Sequence, residues 1–175
     1  SPKAVIDVTL FDSVKATGSI PAGTVFTSSV NDVSYKFVTV NEFTASNSGN
    51  SIPFLSLPIY EGTFITTQYT VDSSDVDQRF VLTNNRADTN TLTVTVQTSA
   101  TDTSSTTYTK TTDISQVTST SANYFLQEVE NGLFEVYFGD GILGKSISDG
   151  NIVVLTYVVT NRTDANTATT FSNAA

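Results

Sequence analysis

Apolar and polar residues alternate with a period of two along much of this chain. Residues 91–97 are the clearest case, because leucine or valine occupies every second position and threonine most of the others. Successive side chains of a strand point to opposite faces, so this pattern predicts a strand with one core face and one wet face. Residues 133–138 repeat the pattern, whereas residues 152–159 are apolar on both faces and predict a covered central strand. Weaker strands are predicted at 5–11, 24–27, 35–40, 63–71, 79–82 and 124–129.

Turn chemistry separates these runs, and no segment has a long helical period. Asn131-Gly132 supplies the positive φ angles of a type I′ turn and predicts an antiparallel hairpin between 124–129 and 133–138. A short helix is predicted at 113–118 with Asp113 as its N-cap. A loop is predicted at 45–51, and a Ser/Thr-rich loop or a long hairpin end at 100–107. The sequence therefore predicts an all-β fold, or a β-rich fold with one short helix. Its antiparallel sheets are expected to form two packed subdomains, residues 1–66 with 152–175 and an inserted 67–151.

The composition excludes several classes of function. Acidic residues outnumber basic ones by 17 to 8, and the net charge of −9 opposes binding to nucleic acid or to an anionic membrane surface. No apolar run approaches the roughly 20 residues of a membrane helix, and no signal peptide is visible. The chain has no Cys and no His, which removes thiolate nucleophiles, most triads and most transition-metal sites. It also has no Met, and we therefore expect an excised part of a longer protein.

One string of residues imitates a nucleotide-binding motif. It fits G-x-x-x-x-G-K-[ST] and reads Gly139-Asp140-Gly141-Ile142-Leu143-Gly144-Lys145-Ser146. The chemistry of that motif requires a helix to begin at Lys145, so that its amides face the phosphates. Residues 147–151 lead instead into a strand, and no parallel βαβ pattern surrounds them. We therefore interpret the string as a glycine-rich connection between antiparallel strands, and a nucleotide-binding enzyme is the weakest hypothesis.

Two groups of carboxylates could carry chemistry. Asp72, Asp75 and Asp77 offer oxygen ligands for Ca²⁺, but they lack the spacing, the glycine and the final glutamate of an EF-hand loop. Glu128 and Glu130 lie two apart and are predicted on one strand face, whereas glycosidases place their carboxylate pair across a cleft. The plainer interpretations are a solvated acidic turn and a wet strand face. We predict no catalytic, cofactor-binding or metal-binding residue.

Tyrosines and a glycosylation motif are the remaining candidates. Tyrosine is enriched at interfaces but also fills sheets, and its strand propensity better explains each of Tyr35, Tyr60, Tyr69, Tyr124 and Tyr137. Asn161-Arg162-Thr163 fits the N-glycosylation pattern, which we attribute to chance because no secretory signal is visible. The tyrosines and the threonine-rich strands are also compatible with a secreted or surface β-sandwich adhesin that binds glycans, and this is the alternative function.

Longer stretches in both halves of the chain follow a family pattern. The second half contains Phe134-Glu-Val-Tyr-Phe-Gly-Asp-Gly-Ile-Leu-Gly-Lys145, Ser148-Asp-Gly-Asn-Ile-Val-Val-Leu-Thr-Tyr-Val-Val-Thr160 and Ala165-Asn166. The first half contains Gly18-Ser-Ile-Pro-Ala-Gly-Thr-Val-Phe26, Tyr35-Lys-Phe37 and Ile59-Tyr-Glu-Gly62. Together these stretches, which extend over roughly Ala4 to Ser172, resemble the phage baseplate J-like family, and within it the large baseplate wedge subunits of T4-like myoviruses.

The resemblance implies a structural role and no enzymatic activity. The implied role is that of a contractile phage tail baseplate wedge component that forms the inner ring through protein–protein contacts. The implied partners are a second copy, as a homodimer, and neighbouring baseplate wedge proteins, with no nucleic acid, membrane, cofactor or small-molecule substrate. The implied location is the virion, in the tail baseplate, after assembly in the host cytoplasm. The glycines of residues 139–144 are implied to shape a hairpin.

Overall fold

A computed structural model describes residues 1–161 and 167–173 of the chain. Strands dominate this part of the chain, and single-turn 3₁₀ helices cover Ile114–Gln116 and Glu130–Gly132. The strands are β1 Lys3–Phe11, β2 Thr17–Ile20, β3 Val25–Val30, β4 Val33–Val38, β5 Phe43–Ser46, β6 Ser51–Glu61, β7 Thr63–Thr70, β8 Phe80–Leu82, β9 Ala87–Gln97, β10 Ser105–Lys110, β11 Asn123–Glu128, β12 Phe134–Phe138, β13 Ile152–Val159 and β14 Ser172–Asn173. The predicted all-β fold is confirmed.

The chain divides into two compact units. The first contains Ser1–Phe64 and Val158–Ala175, and the second contains Ile65–Tyr157. The first unit holds a five-stranded sheet of order β1-β6-β4-β3-β14 and a two-stranded sheet of β2 and β5. A seven-stranded sheet has the order β7-β13-β9-β10-β11-β12-β8. These limits differ from the predicted subdomains, 1–66 with 152–175 and 67–151, because β13 lies between β7 and β9 and not among the N-terminal strands.

Alternation along the strands builds the core of the first unit. The inward side chains of β6 meet those of β3 and β4, and the buried cluster contains Ile20, Phe26, Tyr35, Phe37, Ile52, Phe54, Leu57 and Ile59. Ala4, Ile6 and Val8 of β1 pack at the margin of this cluster. Phe171 meets Phe37 edge to face, with ring centroids 5.0 Å apart. Burial of each large apolar side chain stabilises the unit by about 1.5–3 kcal/mol.

β6 was not predicted from the sequence, because the strand contains two prolines, which usually interrupt strands. Pro53 and Pro58 both lie opposite odd-numbered residues of β1. The Glu61 amide donates to the Pro2 carbonyl oxygen at 2.8 Å, so the even-numbered residues of β1 form the hydrogen bonds to β6. The prolines therefore occupy positions where this ladder needs no amide. On its other side β6 pairs with β4 only at Tyr60 and Glu61, and no hydrogen bond is lost there.

A β-bulge interrupts the pairing of β1 with β6, and its extra residue belongs to β6. Between Ile6 and Val8 of β1 lies one residue, whereas the paired stretch of β6 has two, Leu55 and Ser56. Ser56 has a left-handed φ of 56°, and its amide donates to Asp7 Oδ1 at 2.8 Å. The bulge therefore bends β6 and leaves β1 regular.

Two sequence predictions about the seven-stranded sheet are confirmed. β13 is a central strand between β7 and β9, and Val153, Leu155 and Tyr157 on one of its faces are fully buried. Ile152, Val154 and Thr156 on the other face are half-buried. β11 and β12 pair antiparallel, and the turn between them has φ angles of 62° at Asn131 and 70° at Gly132. In this chain an apolar run therefore predicted a central strand correctly, and an Asn-Gly turn predicted a hairpin correctly.

Of the two alternatives for residues 100–107, the structure agrees with the hairpin end, because β9 and β10 pair antiparallel. The strand β10 itself, which begins at Ser105 and also pairs parallel with β11 at two positions, is not predicted from the sequence. Only Tyr108 of β10 is buried, so the strand has no apolar alternation to detect. The helix predicted at 113–118 is a single 3₁₀ turn, although Asp113 caps it by accepting the Ser115 amide. The crowding of hydroxyl side chains explains why no longer helix forms.

Candidate functional site

The string that imitates a P-loop folds back on itself. The Gly141 amide donates to the Gly144 carbonyl oxygen at 3.0 Å. The amides of Ile142 and Leu143 donate to Asp140 Oδ1 at 2.8 and 2.9 Å. These two bonds, the one from Leu143 first, hold the pKa of the Asp140 carboxyl below its ordinary value. Three successive amides are thus satisfied inside the loop.

The end of the same loop is tied to the segment before β11. The Gly144 amide donates to the Thr118 carbonyl oxygen at 3.1 Å, and the Lys145 amide donates to that of Ser121 at 2.8 Å. Phosphate-binding loops need such amides to point at the ligand, with a helix behind them. Every amide from residue 141 to residue 145 already has a protein acceptor, and no helix begins at Lys145. These five amides are therefore not available to bind a phosphate.

The glycines of this loop serve its shape. A Cβ atom on Gly139 would lie 2.3 Å from the carbonyl carbon of Gly144, so no side chain fits there. Gly141 and Gly144 have φ angles of 86° and 90°, which favour glycine. The loop joins β12 to β13, and these strands are not neighbours in the sheet. The expected hairpin is therefore wrong, and the glycines shape a connection between separated strands.

The acidic residues 72–77 form a hydrogen-bonded turn. Asp72 Oδ1 accepts the amide of Ser74 at 2.9 Å and its hydroxyl at 2.6 Å, and the hydroxyl bond is the main cause of a lowered pKa of Asp72. The Asp77 amide donates to Asp75 Oδ1 at 3.1 Å. Within residues 1–161 and 167–173, no group of three or more His, Cys, Asp or Glu side chains could hold a metal ion. The geometry is that of a solvated turn.

Glu128 and Glu130 do not share a strand face. Glu128 ends β11 opposite Phe134, whereas Glu130 lies in the 3₁₀ turn that follows. Both side chains are exposed. The prediction of one common wet face is wrong, because β11 ends before Glu130.

A buried carboxylate that the sequence analysis did not single out lies in β12. Glu135 is 4% exposed, and its Oε2 accepts hydrogen bonds from Arg79 Nε at 2.9 Å and from Arg79 Nη2 at 2.6 Å. The bond from Arg79 is the main cause of a lowered pKa of Glu135, and it outweighs burial, which acts in the opposite direction. Arg79 directly precedes β8, and β8 pairs with β12. The ion pair therefore joins the segment before β8 to β12.

The five candidate tyrosines have different environments. Tyr35 and Tyr124 are buried, at 7% and 4% exposed. Tyr60 is half-buried, and so is Tyr69, whose hydroxyl donates to a β8 carbonyl at 2.6 Å. Among these five, Tyr137 alone exposes more than a third of its surface. These positions are those of sheet-filling side chains.

Large apolar side chains are exposed on the side of β1 and β6 that faces away from the core. Val5 is 59% exposed, Leu55 is 73% exposed and Phe11 is 87% exposed. Pro53 and Pro58 are half-buried on the same side, and these five residues are termed the outer apolar face. Grouped exposed apolar residues mark contact surfaces more often than scattered ones do. The sequence analysis missed this face because β6 was not recognised.

Some candidates lie outside the described residues. Asn161 of the glycosylation motif is exposed, but Arg162 and Thr163 are not described, and neither are Ala165 and Asn166 of the family pattern. In the described part of the chain, no helix has the length and apolar character needed to span a bilayer.

No protein-family model matches the chain. No curated protein matches it either. The fold class of the chain is all-β.

Proposed function

We propose that the chain is a structural component of a contractile phage tail baseplate wedge, and that it helps to form the inner ring by binding other proteins. The outer apolar face carries this proposal, because Phe11 and Leu55 are too exposed to stabilise the isolated unit. The resemblance of residues 134–160 and 18–26 to the phage baseplate J-like family supports it. The proposed partners are a second copy and neighbouring wedge proteins, and the proposed location is the tail baseplate of the virion.

The environments of the polar candidates also favour a scaffold over a catalyst. Amides 141–145 are bound to protein oxygens, and Glu135 is paired with Arg79. A catalytic carboxylate or a ligand-binding amide must instead be left available to a substrate. The buried charge and the glycine-rich loop both serve to hold strands in place.

Labelling of intact virions tests this proposal. An antibody raised against the chain, applied with gold particles to virions of the phage that encodes it, is expected to mark the tail tip in electron micrographs. The same antibody absorbed beforehand with the purified chain is the control. Label that is confined to the head, or absent from purified virions, would reject the wedge and would favour the glycan-binding adhesin.

A further inference from the structure

Three places in the sequence put a glycine directly after an asparagine or an aspartate. They are Asn131-Gly132, Asp140-Gly141 and Asp149-Gly150, and all three lie in the second unit. In such a pair the backbone nitrogen of the glycine can attack the side-chain carbonyl carbon of the residue before it, because no Cβ atom on the glycine hinders the approach. The attack closes a five-membered succinimide ring. How the fold holds the two reacting groups therefore decides which of the three pairs reacts.

The Asp140-Gly141 pair is held at both of its reacting groups. The Gly141 amide donates to the Gly144 carbonyl oxygen at 3.0 Å, and Asp140 Oδ1 accepts the amides of Leu143 and Ile142. An amide that donates to a carbonyl keeps its proton and is directed away from the side chain before it, so it is a poor nucleophile. The amides of Leu143 and Ile142 also lower the pKa of Asp140, and an ionised carboxylate is a poor electrophile.

The Asp149-Gly150 pair is held in the same way. The Gly150 amide donates to the Val71 carbonyl oxygen at 2.9 Å. Asp149 Oδ1 accepts the amide of Ser73 at 2.9 Å and its hydroxyl at 3.1 Å. Ring closure would break the bonds that tie residues 149–150 to residues 71–73, so the folded chain protects this pair.

The Asn131-Gly132 pair lacks this protection. Within residues 1–161 and 167–173, neither the Gly132 amide nor the exposed side chain of Asn131 makes a hydrogen bond. Ring closure requires rotation about the Cα–C bond of Asn131, away from its ψ of 22°. The bond that closes the turn, from the Leu133 amide to the Glu130 carbonyl oxygen, is 3.4 Å long, which is longer than the usual range. A turn closed by so long a bond opposes this rotation little.

We propose that Asn131 is a site of spontaneous deamidation in the folded chain. The Gly132 nitrogen, after a base removes its proton, forms a bond to Cγ of Asn131. The Cγ–Nδ2 bond then breaks, and the nitrogen leaves as ammonia after it takes a proton from water. A water molecule opens the resulting succinimide at either of its carbonyl carbons, which leaves aspartate or isoaspartate. The net reaction consumes a water molecule and releases an ammonia molecule, and nothing is oxidised or reduced.

The modification changes the turn that joins β11 to β12. Either product adds a carboxylate next to Glu130, and isoaspartate also adds a carbon atom to the main chain. A type I′ turn requires a positive φ at both central residues, and an extra main-chain atom disrupts that geometry. The proposal is independent of the proposed function, because it concerns the chemistry of this turn alone.

The variant Asp149→Asn provides a matched test, because it places the same reacting groups at a pair whose glycine amide is already bonded. The variant is incubated at mildly alkaline pH, both folded and unfolded in guanidinium chloride. Peptide mapping by mass spectrometry follows deamidation at each position, and isoaspartyl methyltransferase labels the isoaspartate. In the folded chain we expect position 149 to react about tenfold more slowly than Asn131, because a backbone hydrogen bond must open first. In the unfolded chain we expect the two rates to be similar.

Two further variants complete the test. Asp140→Asn repeats the comparison at the other protected pair, and Asn131→Gln gives the background rate, because its longer side chain would have to close a six-membered ring. Circular dichroism checks that each variant is folded. A folded chain in which Asn131 stays intact, or in which Asn131 reacts no faster than position 149 in Asp149→Asn and position 140 in Asp140→Asn, would overturn the proposal.

Discussion

Among single residues, Glu135 links stability to pH. The hydrogen bond from Arg79 lowers its pKa below the ordinary value of 4.5, so the folded chain binds this proton less readily than the unfolded chain does. The stabilisation is therefore fully present above the ordinary value and is lost as the pH falls through the lowered pKa. We expect Glu135→Gln to flatten the acid part of the curve of unfolding free energy against pH. Urea unfolding from neutral pH down to about pH 2 measures that curve.

Glu128→Gln is the matched control for this experiment. Glu128 is exposed at the end of β11 and has no ion pair with Arg79. Its replacement is expected to leave the difference between neutral and acid pH close to that of the native chain. Curves of equal slope for the native chain and Glu135→Gln would show that the pair does not control acid stability.

Gly139 tests whether the glycine-rich loop is needed for folding. An added Cβ would meet the Gly144 backbone at 2.3 Å, and a backbone cannot move aside cheaply. We expect Gly139→Ala to lower the free energy of unfolding by about 1–3 kcal/mol. Gly18→Ala is the comparison, because its Cβ would meet side-chain atoms and no backbone, the nearest being Ile52 Cδ1 at 2.9 Å. Chemical denaturation of both variants should give the larger loss for Gly139→Ala.

Some of the candidate site could be read from the sequence and some could not. The missing helix after Lys145 was visible in Asp149-Gly150, and it was sufficient to reject a nucleotide site. The acceptors of the loop amides were not visible, because Thr118 and Ser121 belong to another segment. The same is true of Glu135, since nothing near it in sequence indicates that Arg79 lies beside it. The partners of the loop amides and of Glu135 are set by contacts between residues that are distant in the sequence.

At the level of strands, the bulge in β6 can be tested by its backbone. Ser56 adopts a φ of 56°, which is costly for a residue with a Cβ atom and free for glycine. We expect Ser56→Gly to raise the free energy of unfolding by about 0.5–1 kcal/mol, although glycine loses more entropy on folding. Thermal and urea unfolding measure the change.

Ser51→Gly is the control for Ser56→Gly, because Ser51 lies in the same strand but has no positive φ. Ser51 pairs regularly with Phe11 and has no positive φ to relieve, so glycine there should only destabilise the chain. A loss of stability in both variants would mean that the conformation of Ser56 carries no strain.

β6 and β10 show why some strands could not be predicted from the sequence. Alternation located β9 and β12, and a run of apolar residues located β13. β6 was missed because its prolines resemble breakers, and they are tolerated only because the ladder needs no amide at those two positions. β10 was missed because threonine fills it and a single tyrosine is its buried residue. Both β6 and β10 form because of pairing with strands that lie elsewhere in the sequence.

For the molecule as a whole, the topology predicts slow folding. β1 pairs with β6 so that Lys3 meets Tyr60, and β14 pairs with β3 so that Ser172 meets Thr27. Such pairings must close long loops before they stabilise anything, and proteins dominated by them fold in milliseconds to seconds. We expect stopped-flow refolding, followed by tyrosine fluorescence, in that range. Complete refolding in microseconds would contradict the importance of these distant pairings.

The position of the bulge has a practical consequence for anyone handling the chain. Proteins commonly interrupt or charge their outermost strands, which hinders uncontrolled ordered aggregation. Here the irregularity lies one strand inward, in β6, so β1 depends on its exposed Lys3 and Asp7 for this protection. Replacing both charged residues with serine should therefore make concentrated preparations aggregate sooner on storage, which light scattering measures.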